Sequence, residues 1–198
     1  MANIQIAGFQ PHRKSGGGRI SYRRARVLTN NTTAIALYDA VSIGSAGETV
    51  VASAVDTAIS SVSGGASYVD TAGARVGAKV LPAATLYTSS GVAPENASYV
   101  FVVDNSLEVD YLCSIDEATT LTQMNLNYKM VLGANTNGIS GHELDATTPA
   151  TTATFPWRVQ DFVISADSDP DAADAHVLAK INAGMWEPAL EIGGSLGS

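Results

Sequence analysis

Short apolar or alternating runs, each ended by turn residues, follow one another along most of the chain. The clearest is Leu107–Cys113, where Leu107, Val109, Tyr111 and Cys113 fall on one side and Glu108 and Asp110 on the other. That two-residue period predicts a half-buried strand. Similar runs predict strands at Arg26–Thr29, Ala34–Leu37, Ala40–Ile43, Val50–Ala54, Ala58–Val62, Tyr68–Asp70, Ala78–Leu81 and Tyr99–Val103. Further ones follow at Lys129–Leu132, Trp157–Ile164, Val177–Asn182 and Met185–Glu187. Between them, Asn30-Asn31, Gly44-Ser45-Ala46-Gly47, Gly64-Gly65, Ser89-Ser90-Gly91 and Asn137-Gly138 read as tight antiparallel connections. Many short strands without long helices between them exclude an α/β architecture. The expected fold is all-β: an antiparallel, jelly-roll-like β-sandwich or barrel with one or two short helices and an extended N-terminal arm.

Helix signals are confined to two places. Ser114-Ile115-Asp116-Glu117 has capping-box spacing and predicts a helix running to about Asn125, with Ala118, Leu121 and Met124 on one face. Asp169-Pro170, followed by Asp171 and Asp174, predicts a second helix ending near Ala175. Thr147–Thr154 reads as an extended polar connection.

Charge changes the picture more than composition does. Charged residues are only 15% of the chain, against about 25% in an ordinary soluble domain. Small neutral residues take their place, which leaves a surface poorly defended against association. The formal net charge is −8, yet its sign changes along the chain. Arg13, Lys14, Arg19, Arg23, Arg24 and Arg26 give residues 1–26 a charge of +6; residues 27–198 hold five basic against nineteen acidic residues, a balance of −14. With Pro11 and the run Ser15-Gly16-Gly17-Gly18, residues 1–26 are expected to be an extended basic arm and residues 27–198 a β-rich body. Such an arm extends to about 85 Å, while a body of this length is roughly 40 Å across. It is therefore expected to reach acidic surface on a neighbour, with Ile4, Ile6 and Phe9 as strand-pairing anchors.

Signals for chemistry are thin. His12, His142 and His176 share no metal-ligand spacing, and Cys113 is expected to be a buried spare thiol. Gly138-Ile139-Ser140-Gly141 is one residue short of a nucleophile elbow and reads as a turn. Asp167, Asp169 and Asp171 form a weak cation candidate, because Ala172 and Leu178 stand where a calcium loop needs Gly and Glu. Asp116-Glu117 suits a helix start better than the paired carboxylates of a cell-wall hydrolase. The expectation is no enzyme, no cofactor and no metal. The acidic body argues against direct nucleic-acid binding, and no run is long enough to span a membrane.

The stretch Tyr99–Asn182 resembles small virion proteins of marine tailed bacteriophages. The resemblance rests on Leu126-Asn127-Tyr128, Asn135–Asp145, Thr151–Val159 and Ala179-Lys180-Ile181-Asn182. It implies a non-enzymatic cement or decoration protein on the outer surface of the virion capsid, made in the host cytoplasm. Its partners would be the major capsid protein and copies of itself, as a homotrimer. Attachment through Ile4, Ile6, Phe9, Arg13, Lys14, Arg19, Arg23, Arg24 and Arg26 is inferred from the arm, not carried over from the family. The rival expectation is an adhesion module of a head fibre or tail that binds host glycans, with Trp157 and Trp186 as the available aromatics.

Overall fold

The computed structural model describes residues 3–27, 33–43, 49–51, 58–83 and 98–183. Expected features at Asn30-Asn31, Gly44–Gly47, Ser89–Gly91, Trp186 and Met185–Glu187 lie outside them. The protein is mostly β, with no helix of seven residues or more among the described residues. In chain order the strands are β1 (Gln10–Lys14), β2 (Tyr22–Val27), β3 (Ile35–Ala36), β4 (Ala40–Ile43), β5 (Thr49–Val51), β6 (Ser61–Val69), β7 (Arg75–Ala78) and β8 (Val80–Leu81). They continue with β9 (Ser98–Val103), β10 (Val109–Ile115), β11 (Asn127–Tyr128), β12 (Met130–Val131), β13 (Glu143–Leu144), β14 (Trp157–Phe162) and β15 (Ala175–Ile181).

A seven-stranded sheet runs β11-β14-β15-β10-β13-β12, with β1 added on β10. Its two ends belong to one continuous stretch: Asn127–Tyr128 pairs with β14 and Met130–Val131 with β13, on either side of Lys129. The sheet thereby nearly closes into a barrel. Alternation fills the interior: Val109, Tyr111, Cys113 and Ile115 from β10 meet Trp157 and Val159 from β14 and Val177, Ala179 and Ile181 from β15. Phe9 stacks on Trp157 with ring centroids 4.0 Å apart, and Tyr111 meets the same indole edge-on at 5.4 Å.

The second sheet, β2-β9-β6-β4-β5 with β7 on β6, curls into a half-barrel. One face carries its own core of Ala25, Val27, Val41, Ala66, Val100 and Val102, packed with Ile35 and Leu81 of the small β3–β8 pair. Ala40, Val62 and Val103 point from the opposite face into the barrel's core. That buried contact joins the two sheets.

The structure corrects several expectations. The free N-terminal arm is not seen: β1 pairs with β10, β2 pairs with β9, and Phe9 is fully buried. A Gly-rich turn at 15–18 merely links one strand to the next. The expected helix from Ser114 is absent because Ser114 and Ile115 belong to β10, held by His176 and Ala175 across the sheet. The real capping box is at Thr120 and Gln123 and closes only a short 3-10 turn, Leu121–Gln123. Residues 170–174 are turns and a bend instead of a helix, and Ala175 already opens β15. Gly64-Gly65 is no connection but a bulge within β6, where the register against β9 shifts between Ser63 and Ala66. Asp110, expected to face solvent, is buried.

Candidate functional site

The basic residues expected to act together are divided by the strands they enter. In β1, Arg13 lies opposite Asp110 and donates from Nε to Oδ2 at 2.5 Å; Lys180 of β15 approaches the other oxygen at 3.4 Å. Lys14 pairs with Glu108 at 3.0 Å. These two cations neutralise carboxylates of their own chain. Ile4 and Ile6 form a strap ahead of β1. Ile6 N donates to Ser114 Oγ at 2.7 Å, and the carbonyl of Ile4 contacts His176 Nε2 at 2.5 Å. Arg19 is exposed in the link to β2, and Arg23 approaches Asp104 at 4.0 Å.

Arg24 and Arg26 belong to a different surface. In β2 they alternate with the buried Ala25 and Val27, so they project from the opposite, outer face of the half-barrel. Register places Arg24 opposite Phe101 and Arg26 opposite Tyr99, and Tyr99 opposite Ser67 on β6. The Arg24 guanidinium sits 5.7 Å from the centre of the Tyr99 ring. Arg75 of β7 donates to Ser67 Oγ at 3.2 Å. Arginines and half-buried aromatics separated by about seventy residues of sequence thus form one basic, aromatic sheet face. The sequence signal was the alternation Arg24-Ala25-Arg26-Val27, but the aromatic half depended on an unknown register.

A second surface is acidic. Asp161, Asp167, Asp169 and Asp171 are exposed on β14 and the turns after it. Two exposed aliphatic residues sit among them, Ile4 at 62% and Ile164 at 69% exposure. His176 binds both neighbourhoods, through its ring to the Ile4 carbonyl and through its own carbonyl to the amide of Val163. Asn3 fixes the turns by donating to the carbonyls of Asp169 and Ala173 and accepting from the Asp169 amide. Among the described residues no three His, Cys, Asp or Glu side chains converge to hold a metal ion, so Asp167, Asp169 and Asp171 do not form one.

The buried polar residues Asp39, Ser140 and His142 form a knot. Asp39 and His142 are both buried, with His142 Nε2 3.8 Å from Asp39 Oδ1. Asp39 Oδ2 accepts from the Ala36 amide at 2.6 Å, and Ser140 Oγ accepts from the His142 amide at 3.1 Å. Burial pushes the Asp39 carboxyl above its usual range, outweighing His142, Ser140 and the Ala36 amide. Burial likewise pushes His142 below its usual range despite Asp39. Here the carboxylate lies between Ser140 and His142, whereas a hydrolytic triad needs the imidazole in the middle. Ser140 is itself buried, so no substrate carbonyl can reach it. Cys113 is also buried, and burial pushes its thiol far up.

No family model, no curated protein and no solved structure matches this chain.

Proposed function

We propose that the chain is a non-enzymatic structural subunit of a tailed-phage particle, a cement or decoration protein on the outside of the head. The resemblance over Tyr99–Asn182 suggests that class. The observation that carries the reading is the separation of surface charge on a sheet-built body: a basic, aromatic sheet face and an acidic, aliphatic end. A subunit that bridges neighbours against internal pressure gains from preorganised patches of this kind, because little ordering entropy is lost when they dock. Many weak contacts within one lattice then reinforce each other through effective concentration. This reading no longer needs a flexible tether. Arg13 and Lys14 serve the fold, whereas Arg19 and Arg24 are exposed cations that pair with no carboxylate named above.

The test uses phage shells lacking the protein. Purified chain added back is expected to sediment with the shells and to raise the temperature at which they release DNA. Shells that neither bind it nor gain heat resistance would exclude a cement role.

A further inference from the structure

We infer that the basic face around Arg24, Arg26, Tyr99 and Phe101 receives the acidic end around Asp167 and Ile164 of a second copy of this chain, head to tail. The inference rests on the assembly-subunit reading above and assigns the surfaces by which copies meet. Two kinds of complementarity support it. The arginines on one surface match the exposed aspartates on the other in sign. The half-buried aromatic rings match the exposed Ile4 and Ile164 in polarity. An apolar centre with a charged rim is the usual composition of a specific interface.

Symmetry decides the mode. Pairing like faces across a two-fold axis would set arginine against arginine, or aspartate against aspartate, and like-charge juxtaposition is costly. The contact therefore sets unlike surfaces against each other; formed once per pair of copies, it is heterologous and closes into a ring or continues from copy to copy. Both surfaces are prepared for it. The basic face lies on paired strands β2, β9, β6 and β7. The acidic turns are tied down by Asn3 and by the reciprocal Ser165–Ser168 bridge. A polyanion such as single-stranded nucleic acid would also fit arginines and rings, but a chain of net charge −8 repels it as a whole. A second copy supplies negative charge and apolar contact together.

The experiment reverses each surface in the full-length chain: Arg24→Glu with Arg26→Glu, and separately Asp167→Lys with Asp171→Lys. Sedimentation velocity at low salt is expected to show concentration-dependent association of the wild type and monomers for each variant alone. An equimolar mixture of the variants should associate again, because every reversed surface then meets its opposite. Circular dichroism checks that both variants fold. If either does not, Ile164→Lys and a salt titration of the wild type replace it; association should weaken with the substitution and with added salt. A wild type that stays monomeric overturns the inference. So do variants that associate as well as wild type, a mixture that stays monomeric, or salt-insensitive association.

Shell rebinding by the same proteins separates this from the proposed function. Rebinding by a monomeric wild type that only the arginine variant loses would assign the basic face to the shell. That result keeps the function and discards the pairing. Head-to-tail association without shell rebinding does the reverse. Tight binding of a single-stranded oligonucleotide to the basic face, with no self-association, would also discard the pairing.

Discussion

Gly8, Tyr38, Asp39, Ser140 and His142 come from three distant stretches and meet in one buried knot. Gly8 has φ +65, and a Cβ there would run into Tyr38 and Ser140, so only glycine lets the strap pass. Phe9 then donates its amide to the Tyr38 carbonyl and lays its ring on Trp157. Within the knot, His142 carries the pH sensitivity. Its pKa lies below 6.5 because burial disfavours the imidazolium more than Asp39 favours it. Well above pH 6.5 the ring is neutral in folded and unfolded chains alike, and no penalty arises. As the pH falls below that value the unfolded chain binds the proton first, so stability declines until the folded ring protonates too. Asp39 is shifted upward, so near the ordinary carboxylate range the folded state binds a proton first, and the effect opposes the loss at lower pH. His142→Gln removes the first effect. Thermal melts at about pH 7.5 and about pH 5.5 should show a smaller fall in midpoint for His142→Gln than for wild type. An equal fall would place the acid sensitivity elsewhere.

Element by element, legibility followed length and period. β9, β10, β14 and β15 were readable because alternating or continuous apolar runs fix which side of a strand is buried. The pairs Asn127–Tyr128 and Glu143–Leu144 are too short to show a period, and only partners elsewhere in the chain make them strands. The N-terminal segment hides its strands for a related reason. Its cations look solvated in sequence, but register sets Arg13 against Asp110 some hundred residues away, and Lys14 meets Glu108 beside it. Gly64-Gly65 looked like a turn, while its role is to let the Tyr22 ring cross β6 where any Cβ would collide. Glycines flanking the loop after β12 follow the same logic. Gly133 and Gly141 cross backbone on backbone, and a Cβ on Gly133 would strike the Gly141 carbonyl. Gly133→Ala is therefore expected to cost about 1–3 kcal/mol in denaturant unfolding, the range of overpacked sites. Gly77, whose added Cβ would meet nothing within 4 Å, serves as the control, and Gly77→Ala should differ little from wild type. Equal stability of the two variants would mean that the loop yields without strain.

For the whole molecule, the decisive feature is that the half-barrel supplies one wall of the barrel's core. Ala40, Val62 and Val103 leave the half-barrel to enter the core that holds Trp157, while Phe9 and β1 close the same core from the N-terminal side. A core shared in this way should unfold as one unit, not sheet by sheet. It also means that residues 2–14 cannot be removed as a detachable arm. Their loss strips Phe9 from Trp157, exposes the edge of β10 and takes Arg13 from the buried Asp110. Loss of a buried phenylalanine alone costs about 3–5 kcal/mol, against a total of roughly 5–15 kcal/mol for a domain. Adding an uncovered edge and a half-compensated buried carboxylate brings the chain to the limit of folding. Deleting residues 2–14 in a Trp186→Phe background, where Trp157 is the remaining tryptophan, is therefore expected to abolish the cooperative transition seen by fluorescence. The far-UV dichroism should lose its transition too, because the half-barrel no longer has a barrel to pack on. A truncated chain that melts like its parent would show the opposite: residues 2–14 would be dispensable to the body and free to be exchanged between copies.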